Sequence, residues 1–333
     1  MYIQTFDGKV KTLVWKRQKK QGRTMQDKKA RLVTRADFDG IVSGGLLIEL
    51  GMIDDVMFAE PRDMQAGKVT IGANDITTNL PYVDGVRLCF DHHVSESERV
   101  GPNENHIIVP DAPSAARVVY DHFGGEKTFP AFSKEAMNAV DQADSARYSE
   151  EDILAPGPWT LLNFILDPRT GLSRFDAFSV SHADFMKEMM VYVRHHPIEE
   201  ILAIPDVEER VYLYLDHAER FEMQLRTCTG VHDNVVVVDL RQQETVYAGN
   251  RFAIYALYPE ANVSIQILPS EDGKRTIFAV GKSIIDRTAK TNVGLLMLEH
   301  GGGGHAAAGT CQIEAERADA VLADLIRTLT EDG

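Results

Sequence analysis

Acids and imidazoles follow one another along this chain in an order that constrains how it can fold. Asp37 and Asp39 stand in R-A-D-F-D-G, Asp75 in A-N-D-I-T, then come Asp91-His92-His93, and Asp141 and Asp144 in V-D-Q-A-D-S. Several of these acids sit where a short apolar run stops. R-L-V-T-R over residues 31–35 reads as a buried strand with Asp37 and Asp39 in the turn after it, and helical spacing of apolar residues runs from Gly40 to Leu50. Lys68 to Gly72 and Val86 to Phe90 are further strand candidates, which puts Asp75 and Asp91 at or just beyond their carboxyl ends. Strands alternating with helices imply an α/β fold with a parallel sheet, and such sheets bind ligands at the carboxyl ends of their strands.

Ser114 to Phe123 and Ser133 to Val140 read as helices, each opened by a serine cap, and the second delivers Asp141 and Asp144 at its end. Residues 151–229 change character. Pro156, Pro158, Pro168, Pro197 and Pro205 separate helical segments that include His182 to Val193 and Glu208 to Cys228, as a helical connector would. From Val235 strands return in V-V-V-V-D-L, N-V-S-I-Q-I-L and T-I-F-A-V-G, followed by helices at Val293 to His300 and Ala318 to Leu329. The expected organisation is therefore a basic extension over 1–30, a parallel-sheet domain over 31–150, the connector over 151–229, and a smaller α/β domain over 230–333.

Charge is distributed unevenly. Residues 1–31 carry +8, against a net −15 for all 333 residues, so the rest of the chain stands at −23. An acidic body repels long polyanions and favours small phosphorylated substrates, while the lysine-rich start is expected to be a solubilising tail. No apolar run is long enough to span a bilayer, no leader-like pattern opens the chain, and Cys89, Cys228 and Cys311 lack paired spacing. A reduced cytoplasmic protein is the expectation, without a membrane partner.

Oxygen donors suit hard divalent cations, and imidazole adds affinity for manganese, iron or zinc. A single D-x-D is also ordinary turn chemistry, and Asp75 after G-A-N could begin a turn. Asp91-His92-His93 is more specific, because Asp and His interrupt the end of the apolar strand V-R-L-C-F. One imidazole can bind metal while its neighbour meets substrate and the aspartate orients a ring. Asp141 or Asp144 ends a helix, where an acid is unfavourable unless a cation relieves it. Gly301 to Gly304 exceed what one helix cap needs, so their backbone N–H groups could cradle phosphate oxygens beside His305, or simply form a flexible loop. His195-His196 suits a helix end, Cys311 suits a core, and Tyr247, Phe252 and Tyr255 fall in the segment that would hold a base.

In this order, D-F-D-G, N-D, F-D-H-H, V-D-Q-A-D and G-G-G-G-H-A-A-A-G resemble the DHH phosphoesterase superfamily over roughly residues 30–313. The resemblance covers both the DHH domain and its C-terminal associated domain, in the branch of short-oligonucleotide hydrolases, phosphoadenosine-phosphate phosphatases and exopolyphosphatase-related proteins. It implies two divalent ions, manganese with magnesium as the alternative, and a C-terminal domain that closes over the substrate. Asp37 would bind one ion and Asp39 the other, Asp75 would bridge them, and His92 with Asp144 (or Asp141) would complete the second site. Asp91 and His93 would be catalytic, Asp91 by orientation and His93 at the scissile phosphate. Gly302, Gly303, Gly304 and His305 would hold phosphate or nucleotide. Lys282-Ser283 stands where the family commonly has R-S, keeping charge and losing bidentate geometry.

The family also commonly places a histidine four residues before the first aspartate, where this chain has Val33. The first metal site is thereby weakened, and Arg35 is expected to replace part of that ion or to contact phosphate. The expected activity is metal-dependent hydrolysis of a small phosphate mono- or diester, a short oligoribonucleotide or a 3′-phosphorylated nucleotide. Polyphosphate hydrolysis and a nucleotide-binding sensor with little turnover are the alternatives, and the resemblance leaves room for a homodimer.

Overall fold

The strands of the first sheet are joined by crossovers, which make it parallel and bury both of its faces. In the computed structural model, which describes residues 29–175, 178–270 and 272–333, the chain begins β1 (Ala30–Thr34), α1 (Phe38–Glu49), β2 (Ile53–Phe58), α2 (Pro61–Gln65) and β3 (Asp75–Thr78). It continues β4 (Leu88–Asp91), α3 (Val94–Val100), β5 (His106–Ile108), α4 (Ala115–His122) and α5 (Lys134–Asp144). The strands pair in the order β2-β1-β3-β4-β5, all parallel. Leu32 and Val33 point to opposite faces and are both fully buried, Leu32 in the large helical core and Val33 in a small cluster with Met64 and Leu80. The basic start, apart from residues 29 and 30, lies outside the described residues.

One strand begins where the sequence suggests another has ended. Lys68 to Gly72 forms no strand, and β3 starts at Asp75 itself. Val69 and Ile71 turn into the small apolar cluster instead of a ladder, while Asp75 to Thr78 are buried throughout and pair with β1 from Arg31 onward. Asp75 therefore lies at the amino end of its strand.

The connector follows as α6 (Glu150–Leu154), α7 (Pro158–Leu166), α8 (His182–Tyr192), α9 (Ile198–Leu202) and α10 (Pro205–Cys228). Pro158 and Pro205 open their helices, a position where the missing N–H costs nothing. α8 lies on α1 so closely that a Cβ on Gly44 would come 2.5 Å from the Met190 sulfur.

The last third contains β6 (Thr229–His232), β7 (Val235–Asp239), α11 (Ala253–Leu257), β8 (Val263–Pro269), β9 (Arg275–Lys282), α12 (Val293–Glu299), β10 (Gly303–His305), β11 (Ala308–Glu314) and α13 (Ala318–Asp332). Its sheet runs β10-β11-β9-β8-β7-β6, antiparallel except between β7 and β8. β7 joins the two cores. Val236 and Val238 enter the helical core, and Val235 and Val237 face the other way, onto the cluster of α12 and α13. Two faces of one strand thus fix the second sheet against the connector, and with it the position of β10 over the first sheet. No helix among the described residues is long and apolar enough to cross a membrane.

Candidate metal centre

Two strand-to-helix turns and one helix end bring the donors together. β1 stops at Thr34, and Asp37 caps α1, accepting from the Gly40 N–H at 3.0 Å while its other oxygen lies 3.4 Å from the Arg35 guanidinium. Asp39, in the first turn of α1, reaches across to α4 and accepts from the Ala115 and Ala116 N–H groups at 3.0 and 2.7 Å. Each of its oxygens keeps a second lone pair. Burial, and then the charge of Asp144, push the Asp39 carboxyl well above the usual carboxylate range.

At the end of β4, Asp91 is fully buried and its Oδ1 accepts from the His92 and His93 N–H groups and from His93 Nδ1 at 2.6 Å. The carboxylate fixes the His93 tautomer and leaves Nε2 free. His92 donates Nδ1–H to the Ala112 carbonyl at 3.0 Å, and its Nε2 lies 2.9 Å from Asp144 Oδ2, donating to that carboxylate while the ring is protonated and offering a lone pair to a metal once the proton leaves. Burial opposes charge on this ring, yet Asp144 and Asp39 outweigh it and the His92 pKa rises to about 9. Burial likewise opposes charge on Asp144, and His92 reverses it, holding that carboxyl below its usual value.

Asp39, His92 and Asp144 each offer a ligand atom within 4.8 Å of the others. The donor set is two carboxylates and an imidazole whose tautomer a backbone carbonyl sets, and it fits one divalent ion of the manganese or magnesium type. Of Asp141 and Asp144, only Asp144 reaches this cluster. Asp141 accepts from Ser114 Oγ at 2.8 Å and from Arg117 at 2.6 and 3.0 Å, holding the cap of α4 whose amides bind Asp39.

Asp75 is the largest departure from the expected ligand set. Arg31 clamps it at 2.8 and 3.0 Å and Gly72 donates to it at 2.8 Å, at the edge of the sheet opposite Asp91. The residue at the carboxyl end of β3 is Asn79, only 1% exposed, left-handed at φ 54°, with neither side-chain polar atom hydrogen-bonded. A sequence signal existed: I-T-T-N carries the β-branched run, and its end marks the strand end.

From the second sheet, the His305 ring stacks over His93 with centroids 5.1 Å apart. The cleft withdraws water from His305 and, with His93 and Arg35 beside it, lowers its pKa, although the residue keeps solvent access. The second half of the glycine run, Gly303 and Gly304, lies in the strand β10. A Cβ on Gly302 would sit 2.0 Å from the Thr310 carbonyl, and one on Gly304 2.3 Å from that of Ala308, so packing against β11 requires these glycines. Gly301 and Gly303 have open space where a Cβ would sit, and Gly301 takes a left-handed φ of 76°. Lys282 donates to the Ala289 carbonyl at 3.0 Å, and the buried Ser283 oxygen accepts from Ile285 and Asp286, which ties both to the turn after β9. Tyr255 is core, bonded to Ser264 and the Gly281 carbonyl.

The opposite wall was not apparent from the sequence. A cavity of about 20 Å³ is bounded by Asp37, Asp39 and Asp144 on one side and by Asp167, Arg169 and Arg251 on the other. Burial would push Asp167 up, but Arg169 and Arg251 hold it below the usual carboxylate range. Burial and Arg169 lower Arg251 to about 10, and its guanidinium lies 3.9 Å from the Phe252 ring centroid. Two guanidinium groups facing three acids, with one aspartate between them, make a cleft that attracts an anion on one side and a cation on the other.

This fold is that of the DHH phosphoesterase superfamily; the chain belongs to it and is a phosphoesterase. PggH, a pGpG-specific phosphodiesterase from Vibrio cholerae, is 50% identical to this chain, with a TM-score of 0.79 over 92% of this chain and 100% of its own. CDC45 from Entamoeba histolytica shares the fold at 9% identity, with a TM-score of 0.52 over 92% of this chain and 96% of its own. No protein-family model matches the sequence, and no curated protein does.

Proposed function

We propose that this phosphoesterase hydrolyses a 5′-phosphorylated diribonucleotide, pGpG in particular, to two mononucleotides. The reading is carried by the Asp39–His92–Asp144 cluster standing between the His93–His305 pair and the Arg169–Arg251 wall, and the substrate follows from the half-identical relative. Asp39, His92 and Asp144 hold the divalent ion, manganese being the expected one. When bound, that ion supplies an acidified water and neutralises charge on the phosphodiester. Asp91 keeps His93 Nδ1 protonated, so Nε2 faces the scissile phosphate in a fixed tautomer. His305 closes over it from the second sheet. Arg169 and Arg251 meet the 5′-phosphate, and Asp167 keeps both guanidinium groups aimed.

The test is mononucleotide release, with manganese or magnesium, from pGpG, other 5′-phosphorylated dinucleotides, longer RNA, phosphoadenosine phosphate and polyphosphate, with Asp39→Asn as control. Release from pGpG that the control abolishes is the expected result. Faster hydrolysis of phosphoadenosine phosphate or polyphosphate would overturn the substrate. Tight pGpG binding with no turnover would make the protein a sensor.

A further inference from the structure

The donors on the Asp37 side of the cleft do not make a second metal site, and this argument rests on the metal role of Asp39, His92 and Asp144 proposed above. Val33, at the position of the family histidine, is fully buried in the apolar cluster of Met64 and Leu80 and offers no ligand. Asp75 is saturated by Arg31 and Gly72 at the far edge of the sheet. The strand-end residue nearest the expected bridge is Asn79, a neutral amide. Register places it between Arg35 and Asp91, since Thr78 pairs with both Thr34 and Phe90. That leaves Asp37, with one oxygen engaged by the α1 amide of Gly40 and the other facing a guanidinium.

Arg35 supplies the positive charge a second ion would bring. Its side chain is 23% exposed, its Nε–H is buried without a hydrogen-bond partner, and its charge is felt by both Asp144 and His305 on the two sides of the cleft. A guanidinium with free donors at that place matches two oxygens of a phosphodiester, as a planar fork does and a lone ion pair does not. A buried donor without a partner is costly unless something else, here an anion, completes it. We infer that this chain is a one-metal phosphodiesterase, in which Arg35, held by Asp37, takes the place of the second divalent ion and binds the scissile phosphate directly.

The experiment is manganese titration of the full chain by equilibrium dialysis, with electron paramagnetic resonance at saturation. One ion per chain with an isolated six-line signal is expected. Two ions with an exchange-coupled signal would overturn the inference and leave the proposed activity standing, whereas no bound ion would remove the metal reading itself. Arg35→Met tests the other half: with one ion still bound and an unchanged melting curve, KM for pGpG should rise roughly 10- to 100-fold. An unchanged KM in that variant would overturn the direct phosphate contact. The wild-type stoichiometry decides the metal count even if the variant fails to fold.

Discussion

Asp39, in the first turn of α1, and Asp75, in β3, are both buried acids, and they stand at opposite edges of the first sheet under opposite conditions. At the amino edge, Asp75 receives a bidentate guanidinium and a backbone N–H, so its charge is matched within the fold. At the carboxyl edge, Asp39, Asp144, Asp37 and Asp91 crowd together with less cation than charge, and Asp39 is driven above the carboxylate range by burial and by Asp144. A saturated acid stabilises the fold, while an under-compensated one waits for a ligand. The lesson is that a buried carboxylate is informative through what it lacks.

The comparison breaks most sharply at Asp39. Asp39→Asn should abolish turnover by on the order of 1,000-fold or more and remove manganese binding. The metal-free fold should lose only about 1 kcal/mol, because burial and Asp144 already oppose charge on the native side chain, while the amide oxygen keeps one of the two α4 N–H partners and gives up the other. Steady-state rates, dialysis and a melting curve measure all three. Loss of stability equal to that of a core substitution would count Asp39 among the structural acids.

Proton competition gives the next largest effect. His92 carries a proton up to about 9 in the metal-free protein, and a metal needs the ring neutral, so ion binding must release that proton. Apparent manganese affinity should rise by roughly tenfold per pH unit on approach to 9, and level off above it. Calorimetry in buffers of different ionisation enthalpy would read the released proton directly, and an affinity flat from pH 6 to 9 would contradict it.

Asp75→Asn should do the reverse of Asp39→Asn. Losing a largely buried ion pair with the partly exposed Arg31 should cost about 1–2 kcal/mol of stability, seen as a lower melting temperature, with kcat and metal content unchanged. A loss of bound manganese would return Asp75 to the metal site and erase the contrast. The smallest change should come from His305→Ala, which removes the ring stacked on His93 but none of the clustered donors. KM should rise by roughly threefold to tenfold at constant manganese affinity.

Much of the site could be read from residue order because its members are local to one edge. Asp37, Asp39, Asp91 and His92-His93 follow strands whose ends the apolar runs mark, and serine caps placed α4 and α5. Asp75 misled because K-V-T-I-G has strand-like composition, and only pairing with β1 shows that the ladder begins at Asp75, four residues after Ile71, and ends beside Asn79. Asp141 and Asp144 are three residues apart on one helix, and their separation into an Arg117 partner and a His92 partner depends on which side of α5 faces α4. Arg169 and Arg251, 82 positions apart, share no local pattern with the acids they face.

By itself the sequence determined the alternation of strands and helices, the carboxyl-edge acids and the family they define, since period, capping and strand-end chemistry are properties of neighbouring residues. Which carboxylates converge, that Asn79 occupies the end of β3, that Gly303 and Gly304 enter β10, and that two arginines complete the cleft were decided only in the tertiary structure. The reason is physical: a charge's role depends on burial and on partners within a few ångströms, and those come from segments that only packing brings together.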